Sequence, residues 1–206
     1  MSIAFTCLVA PEGFDVPPMT VHRFTVDEYE HLGRTGVLTE EDSVELLEGL
    51  IVKKMTKDPL HDGTIDLLSQ VISRRLSSDW FVRVQNVLRT DDSEPEPDVV
   101  IAVGSPANFL QRHPTAHDVA LVIEVAESSL EQDWRKCRIY ARAGVVQYWI
   151  VDLIACQVEV FTQPNRATGA YDHHVCLAPP QEIVLNLTNE KELKVALNEV
   201  LPLGRA

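Results

Sequence analysis

Two nearly unbroken apolar runs, Val99–Val103 and Val119–Ala126, constrain this chain more than any other feature. Continuous Val, Ile, Leu and Ala suits strands covered on both faces, as in a sheet with helices above and below it. Each run carries an acid. Asp98 follows Pro97 at the entry to the first, and Glu124 lies inside the second, in Leu121-Val122-Ile123-Glu124-Val125. A carboxylate in an apolar strand is costly to bury unless it is paired, hydrogen-bonded or bound to a cation. Two of them on neighbouring strands point to a metal.

The rest of the pattern fills in around those strands. Thr25-Val26-Asp27-Glu28 has the form of a capping box and opens a short helix through Leu32, and Thr39-Glu40-Glu41-Asp42 offers a second cap. Val44–Leu47, a Glu48-Gly49 turn and Ile51–Met55 predict a β-hairpin with Glu45 on its first strand. Between His61 and Leu76, Ile65, Leu68, Val71, Ile72 and Leu76 recur at helical spacing. A strand over Phe81–Leu88 precedes the two apolar runs. A helix over Ser129–Ala143 stopped by Gly144 follows them, then strands Tyr148–Leu153 and Val158–Phe161. Two further strands, Tyr171–Leu177 and Ile183–Leu187, and a short helix, Glu190–Leu197, complete the expectation. The fold class is therefore α/β, a central mixed sheet flanked by helices. The expected organisation is an irregular leader over 1–19 ending past Pro17-Pro18, a core domain over 20–163, and a C-terminal extension over 164–206 packed on that core.

Composition excludes several classes. At 206 residues, 45% hydrophobic and 24% charged, the chain reads as one globular domain, not a disordered, collagenous or coiled-coil protein. The net charge of -13 argues against a protein that wraps DNA without sequence preference. It does not argue against chemistry on nucleic acid, because bound cations reverse the local sign of an acidic site. The longest apolar stretches fall short of the roughly 18 to 20 residues that cross a bilayer, so no membrane association is expected. Residues 1–10 place no Lys or Arg before their apolar segment, which speaks against a secretory signal. Cys7, Cys137, Cys156 and Cys176 are scattered, without a CxxC pair, and read as reduced thiols of a cytoplasmic protein.

Glu45, on a third strand, would complete with Asp98 and Glu124 an oxygen-only cluster of the kind that Mg²⁺ or Mn²⁺ prefers. The helix after Glu124 carries Asp133-Trp134-Arg135-Lys136 and, one turn on, Tyr140. A lysine there can orient an attacking water or offset charge growing on a phosphate. Carboxylates, metal and lysine are the parts of phosphodiester hydrolysis.

From about Val21 to Phe161 the sequence resembles the PD-(D/E)xK nuclease superfamily and, within it, the Uma-two family of restriction endonuclease-like proteins. The residues that carry the likeness are Thr25-Val26-Asp27-Glu28-Tyr29, Val44-Glu45-Leu46-Leu47-Glu48-Gly49, His61, Val84-Gln85-Asn86, Ser93-Glu94-Pro95-Glu96-Pro97-Asp98, Val122-Ile123-Glu124-Val125, Tyr140-Ala141-Arg142-Ala143-Gly144-Val145 and Gln147-Tyr148-Trp149-Ile150-Val151-Asp152. No single piece is specific; their order is. The resemblance implies a restriction-endonuclease-like core and a Mg²⁺-dependent endonuclease acting on DNA. Asp98 and Glu124 would be its metal ligands, Glu45 a further acid of the site and Lys136 the catalytic lysine. It also implies a homodimer, since related nucleases cut two strands with two sites. The chain departs from the superfamily pattern at Ala126, where the usual lysine two residues after the second acid would stand, and the implied lysine is displaced to Lys136. The interval from Asp133 to Lys136 is also one residue shorter than in typical relatives.

Each residue has a plainer reading beside this one. Asp98 can cap a turn after proline, Glu124 can form a buried salt bridge with Arg135 or Lys136, and Lys136 can face solvent. Glu48 competes with Glu45 but fits an exposed turn better. His61, Gln85 and Tyr140 enter as accessory residues. His61 is either a base or substrate contact or a helix-start histidine bonding backbone, and Gln85 either sits beside the metals or is a satisfied amide on the sheet face. His173-His174 point to opposite faces of a strand, and Trp80, Trp134 and Trp149 read as packing. A nuclease fold kept without its activity, serving as an interaction or regulatory module, is the alternative function.

Overall fold

The computed structural model describes residues 21–55, 58–187 and 192–202, so the expected leader over 1–19, with Cys7, lies outside the described residues. The Thr25 capping box forms: the Glu28 amide donates to Thr25 Oγ1 and the Thr25 amide to Glu28 Oε2, starting α1 (Val26–Arg34). A one-turn 3₁₀ helix capped by Thr39 leads into β1 (Val44–Leu47), which pairs with β2 (Leu50–Lys53) through a Glu48-Gly49 turn with positive φ at both residues. Helix α2 (Pro59–Ser73) begins where the Asp58 carboxylate accepts from the Leu60 and His61 amides, with Pro59 preset at the first helical position.

The central sheet has six strands: β3 (Trp80–Val84), β4 (Val99–Val103), β5 (Val119–Ala126), β6 (Gln147–Asp152), β7 (Gln157–Asn165) and β8 (Ala170–Leu177), in that spatial order. Among the described strand pairs only β5 and β6 run parallel, and the connection between them is α3 (Leu130–Ala143), because a parallel pair needs a long crossover. Gly144 ends α3 in the left-handed conformation. This is the mixed α/β sheet flanked by helices that the apolar runs predict.

Alternation along the strands divides the core into two layers. Val99, Ile101, Leu121, Ile123, Val125, Trp149 and Val151 pack with Ile65, Leu68 and Ile72 of α2. Val100, Ala102, Val122, Tyr148, Ile150 and Phe161 pack with Cys137 and Tyr140 of α3. Every residue of β5 is buried, and Glu124 belongs by its parity to the α3 side.

Some boundaries differ from the sequence expectation. The strand expected over Phe81–Leu88 ends at Val84, where Gln85 takes a positive φ and the chain turns away. β7 continues past 163 to Asn165, and β8 is an edge strand of the main sheet. A final pair, β9 (Glu182–Leu185) and β10 (Leu193–Ala196), packs Ile183, Leu185, Leu193 and Val195 onto the α2-side layer. Where a helix was expected toward Leu197, the described residues instead form β10 and a single 3₁₀ turn, because Leu193 and Val195 alternate inward with period two. Among the described residues no helix is long and apolar enough to cross a membrane, and Cys137, Cys156 and Cys176 form no disulfide.

Candidate active site

The antiparallel register pairs Val99 with Ile123 and Val100 with Val122, so continuing it by one residue sets Asp98 opposite Glu124 on one face. β4 and β5 therefore bring the two acids together at the end of the sheet where α2 and α3 both begin. Asp98 is 6% and Glu124 3% exposed, and both line a cavity of about 370 Å³ together with Glu45, His61, Asp133 and Lys136.

Lys136 occupies the middle of this group. Its Nζ lies 3.1 Å from Glu124 Oε1 and 3.2 Å from Glu45 Oε1, and the side chain is buried. The helical spacing of Asp133, Lys136 and Tyr140 sets all three on the inward face of α3. Tyr140 donates from its hydroxyl to Glu124 Oε1 at 2.7 Å, and Ser129 donates to Asp133 Oδ2 at 2.5 Å. Glu45 Oε2 accepts the Glu96 amide at 3.1 Å, which ties the β1–β2 hairpin to the segment leading into β4. Asp98 Oδ2 accepts the Val125 amide at 2.9 Å and lies 3.2 Å from His61 Nε2.

The electrostatics follow from burial against partners. Burial pushes the Glu124 carboxyl well above the usual carboxylate range, against the pull of Lys136, with Asp98, Asp133 and Glu45 adding to the push. Burial alone would deprotonate Lys136, but Glu124, Glu45 and Asp133 outweigh it and hold the ammonium well above its ordinary value. Burial would likewise raise Asp98, yet the His61 ring and the Val125 amide prevail and hold it below its ordinary value. Lys136 is thus a fixed cation and Asp98 a fixed anion.

The expected three-carboxylate cage does not form. Among the described residues no three His, Cys, Asp or Glu side chains are grouped to hold a metal by themselves, because Glu45 is turned to the Lys136 ammonium. Asp98 and Glu124 remain. Asp98 Oδ1 and Glu124 Oε2 accept no hydrogen bond among the described residues, and both residues face the cavity. Two carboxylates plus waters and substrate phosphate are a common way to hold Mg²⁺, and an all-oxygen set suits a hard cation. The pair fits such an ion.

Other expectations divide. His61 is at the site, its ring beside Asp98, and Tyr140 holds Glu124. Gln85 is not at the site: its backbone amide bonds the Asp98 carbonyl at 3.1 Å, while its residue lines a separate groove, because the positive φ turns it off the sheet face. Glu48 meets Arg138 and Arg142 instead of the cavity. His174 pairs with Glu159 and stacks on Phe161. Lys54, Glu96 and Asp133, which line the cavity, were not singled out from the sequence. Lys54 had a signal: Val52 pairs with Glu45 across the hairpin, and period two sets Lys54 on that same face.

With the geometry in hand, comparison with solved structures gives a fold match to a crystal structure described as a putative nuclease belonging to DUF820 from Anabaena variabilis ATCC 29413. The TM-score is 0.67 at 16% sequence identity, covering 86% of this chain and 97% of that one. Comparison with curated proteins gives no match. A family model described as Uma2, putative restriction endonuclease, matches residues 26–198, which include all the α-helices and β-strands of the described residues. The chain belongs to the Uma2 family of putative restriction endonucleases.

Proposed function

We propose that this protein is a metal-dependent endonuclease that hydrolyses DNA phosphodiester bonds, with Asp98 and Glu124 holding Mg²⁺ or Mn²⁺ and Lys136 assisting the attack. The observation that carries the reading is the convergence of two carboxylates from adjacent central strands with a buried lysine at one cavity wall. When bound, a divalent cation supplies Lewis-acid stabilisation of the charge that develops on the phosphoryl oxygens.

The chain's own residues do the positioning. Lys136 keeps its proton across neutral pH, so it serves as a cation and hydrogen-bond donor and not as a base. From its place beside Glu124 its ammonium can donate to the lone pair of an attacking water or to a phosphate oxygen, where added negative charge strengthens the contact. Glu45 and Tyr140 fix the lysine–glutamate pair from two sides, which keeps that donor aimed without reorganisation. His61 and the Val125 amide hold Asp98 Oδ2, and Oδ1 accepts no hydrogen bond among the described residues. A second copy presenting the same site to the other strand would turn nicking into double-strand cleavage, a dimer that sedimentation equilibrium would detect.

Cleavage of supercoiled and single-stranded DNA at low salt with Mg²⁺ or Mn²⁺ tests the reading, comparing the native chain with Asp98→Ala and Lys136→Ala. Low salt matters because a chain of net charge -13 binds DNA weakly. Metal-requiring nicking that vanishes in both variants is expected. Loss in Asp98→Ala alone would remove Lys136 from its role, and no cleavage by the native chain would favour an interaction module.

A further inference from the structure

Water that attacks phosphorus must give up a proton, and Lys136, which keeps its own, cannot take it. Other groups on the cavity wall are committed elsewhere. Glu45 spends Oε1 on the Lys136 ammonium and Oε2 on the Glu96 amide, and Glu96 pairs with Lys54 at 2.8 Å. Asp58 accepts the amides that start α2. Asp98 and Glu124 are the pair assigned to the cation, and the His61 ring lies against Asp98.

Asp133 is different. It lines the cavity one turn before Lys136 on the same face of α3, and it is only 4% exposed. Ser129 stands at the start of that helix, yet its side chain makes no capping bond and donates instead to Asp133 Oδ2 at 2.5 Å. The Tyr148 hydroxyl donates to the Asp133 carbonyl at 2.8 Å, so the backbone is held as well. Oδ1 accepts no hydrogen bond among the described residues, nor is it one of the side-chain oxygens sealed in the protein without a partner. It therefore keeps access to water. A buried carboxylate with one fixed and one open oxygen is costly to keep, and the metal pair and the lysine do not account for it.

We propose that Asp133 is a catalytic residue of this site, the base whose Oδ1 accepts the proton of the attacking water. The proposal rests on the nuclease reading and deepens it. An O–H bond of the water breaks and its proton passes to Oδ1, while the water oxygen bonds to phosphorus. The ester P–O bond breaks with its electron pair on the leaving oxygen, which takes a proton from solvent, and Asp133 later returns its own proton to solvent. The charge balance favours that transfer. Burial raises the Asp133 carboxyl to about 6; Lys136 and the Ser129 hydroxyl pull it down, and Asp98 and Glu45 push it up. Glu124 of β5 and the Tyr140 and Tyr148 hydroxyls complete the titratable groups that interact with it. At neutral pH Asp133 is ionised, yet it is a better proton acceptor than an ordinary aspartate.

The test is the pH profile of single-turnover nicking of supercoiled plasmid, at low salt with Mg²⁺, for the native chain, Asp133→Asn and Ser129→Ala. Thermal melting checks that both variants fold. The native rate should rise with pH and level off by neutrality. Asp133→Asn should be about a hundredfold or more slower at pH 7 and keep rising about tenfold per pH unit, because hydroxide must then replace the base. Ser129→Ala keeps the carboxylate but loses a bond that favours its charged form, so its rise should move up by about one pH unit. Mn²⁺ should raise the thermal midpoint of Asp133→Asn as it does that of the native chain, since Asp98 and Glu124 remain. A native-like rate and profile in Asp133→Asn, or an unmoved rise in Ser129→Ala, would overturn the proposal and leave the nuclease reading standing. Loss of the Mn²⁺ effect in Asp133→Asn would overturn it too, making Asp133 a ligand. No nicking by the native chain would overturn the nuclease reading and the base together.

Discussion

Lys136→Met asks whether the buried lysine is the countercharge of the site. Removing one partner of a buried ion pair typically costs about 3–5 kcal/mol, because an uncompensated charge is left behind. Lys136 has two such partners within 3.2 Å, Glu45 and Glu124, and methionine keeps most of the side chain's volume, so packing loss adds little. Burial already pushes Glu124 toward its neutral form, and that carboxyl can take up a proton instead of standing charged. The expected loss is therefore at the lower end, about 3 kcal/mol at pH 7, or roughly 6–12 °C in thermal midpoint for a chain of this size. Its pH dependence has a definite sign. Glu124 has a folded-state pKa above its unfolded value, so the folded chain binds the extra proton and stability falls as pH rises through that window. Without Lys136 that window widens, and the loss should be larger at pH 8 than at pH 5. Urea unfolding in EDTA, followed by circular dichroism, measures it, and Glu124→Gln added to Lys136→Met should recover more than about 1 kcal/mol. A single-mutant loss under about 1 kcal/mol, or strict additivity in the pair, would refute the buried-pair reasoning.

Other consequences are as specific. Tyr140→Phe removes the hydroxyl that donates to Glu124 while leaving the ring packed against Tyr148, and should cost about 1.5–3 kcal/mol in urea unfolding. Burial, with Glu30 nearby, pushes the Glu94 carboxyl up to about 7, and its Oε1 is buried without a partner. Since that folded pKa is raised, stability from this group falls between about pH 4.5 and 7, so Glu94→Gln should raise the thermal midpoint at pH 8 but not at pH 4. After allowance for solvent screening the gain is about 1 kcal/mol, or about 2–4 °C. Gly49→Ala should destabilise by roughly 1–3 kcal/mol, since Gly49 has a φ of +77° and an added Cβ would lie 2.7 Å from Arg23 Cβ.

The sheet was legible because β4 and β5 carry continuous apolar runs and β1–β2 a turn pair, signals that belong to the local chain. β10 was read as helix because a short segment with Leu193 and Val195 shows its period only when its partner β9 is present. At the site, Asp98 and Glu124 stood out as acids in apolar surroundings, a cost visible in one dimension. Lys136 had no such signal of its own. An α-helical lysine looks solvent-facing until the crossover geometry turns α3 toward β5, and only the family pattern singled it out. Lys54, Asp133 and Glu96 reach the cavity from the hairpin, the helix start and the loop before β4, and that convergence is set by tertiary packing. Gln85 was misplaced for a local reason, a positive φ that ends its strand early.

The most direct test of the central claim is the single-turnover nicking rate of supercoiled plasmid at low salt, with Mg²⁺ and then with EDTA, for the native chain and Glu124→Gln. The account predicts nicking that requires Mg²⁺ and slows at least about a hundredfold in Glu124→Gln, the scale typical of losing a group that stabilises transition-state charge. Equal rates in the two proteins, or nicking that persists in EDTA, would contradict it.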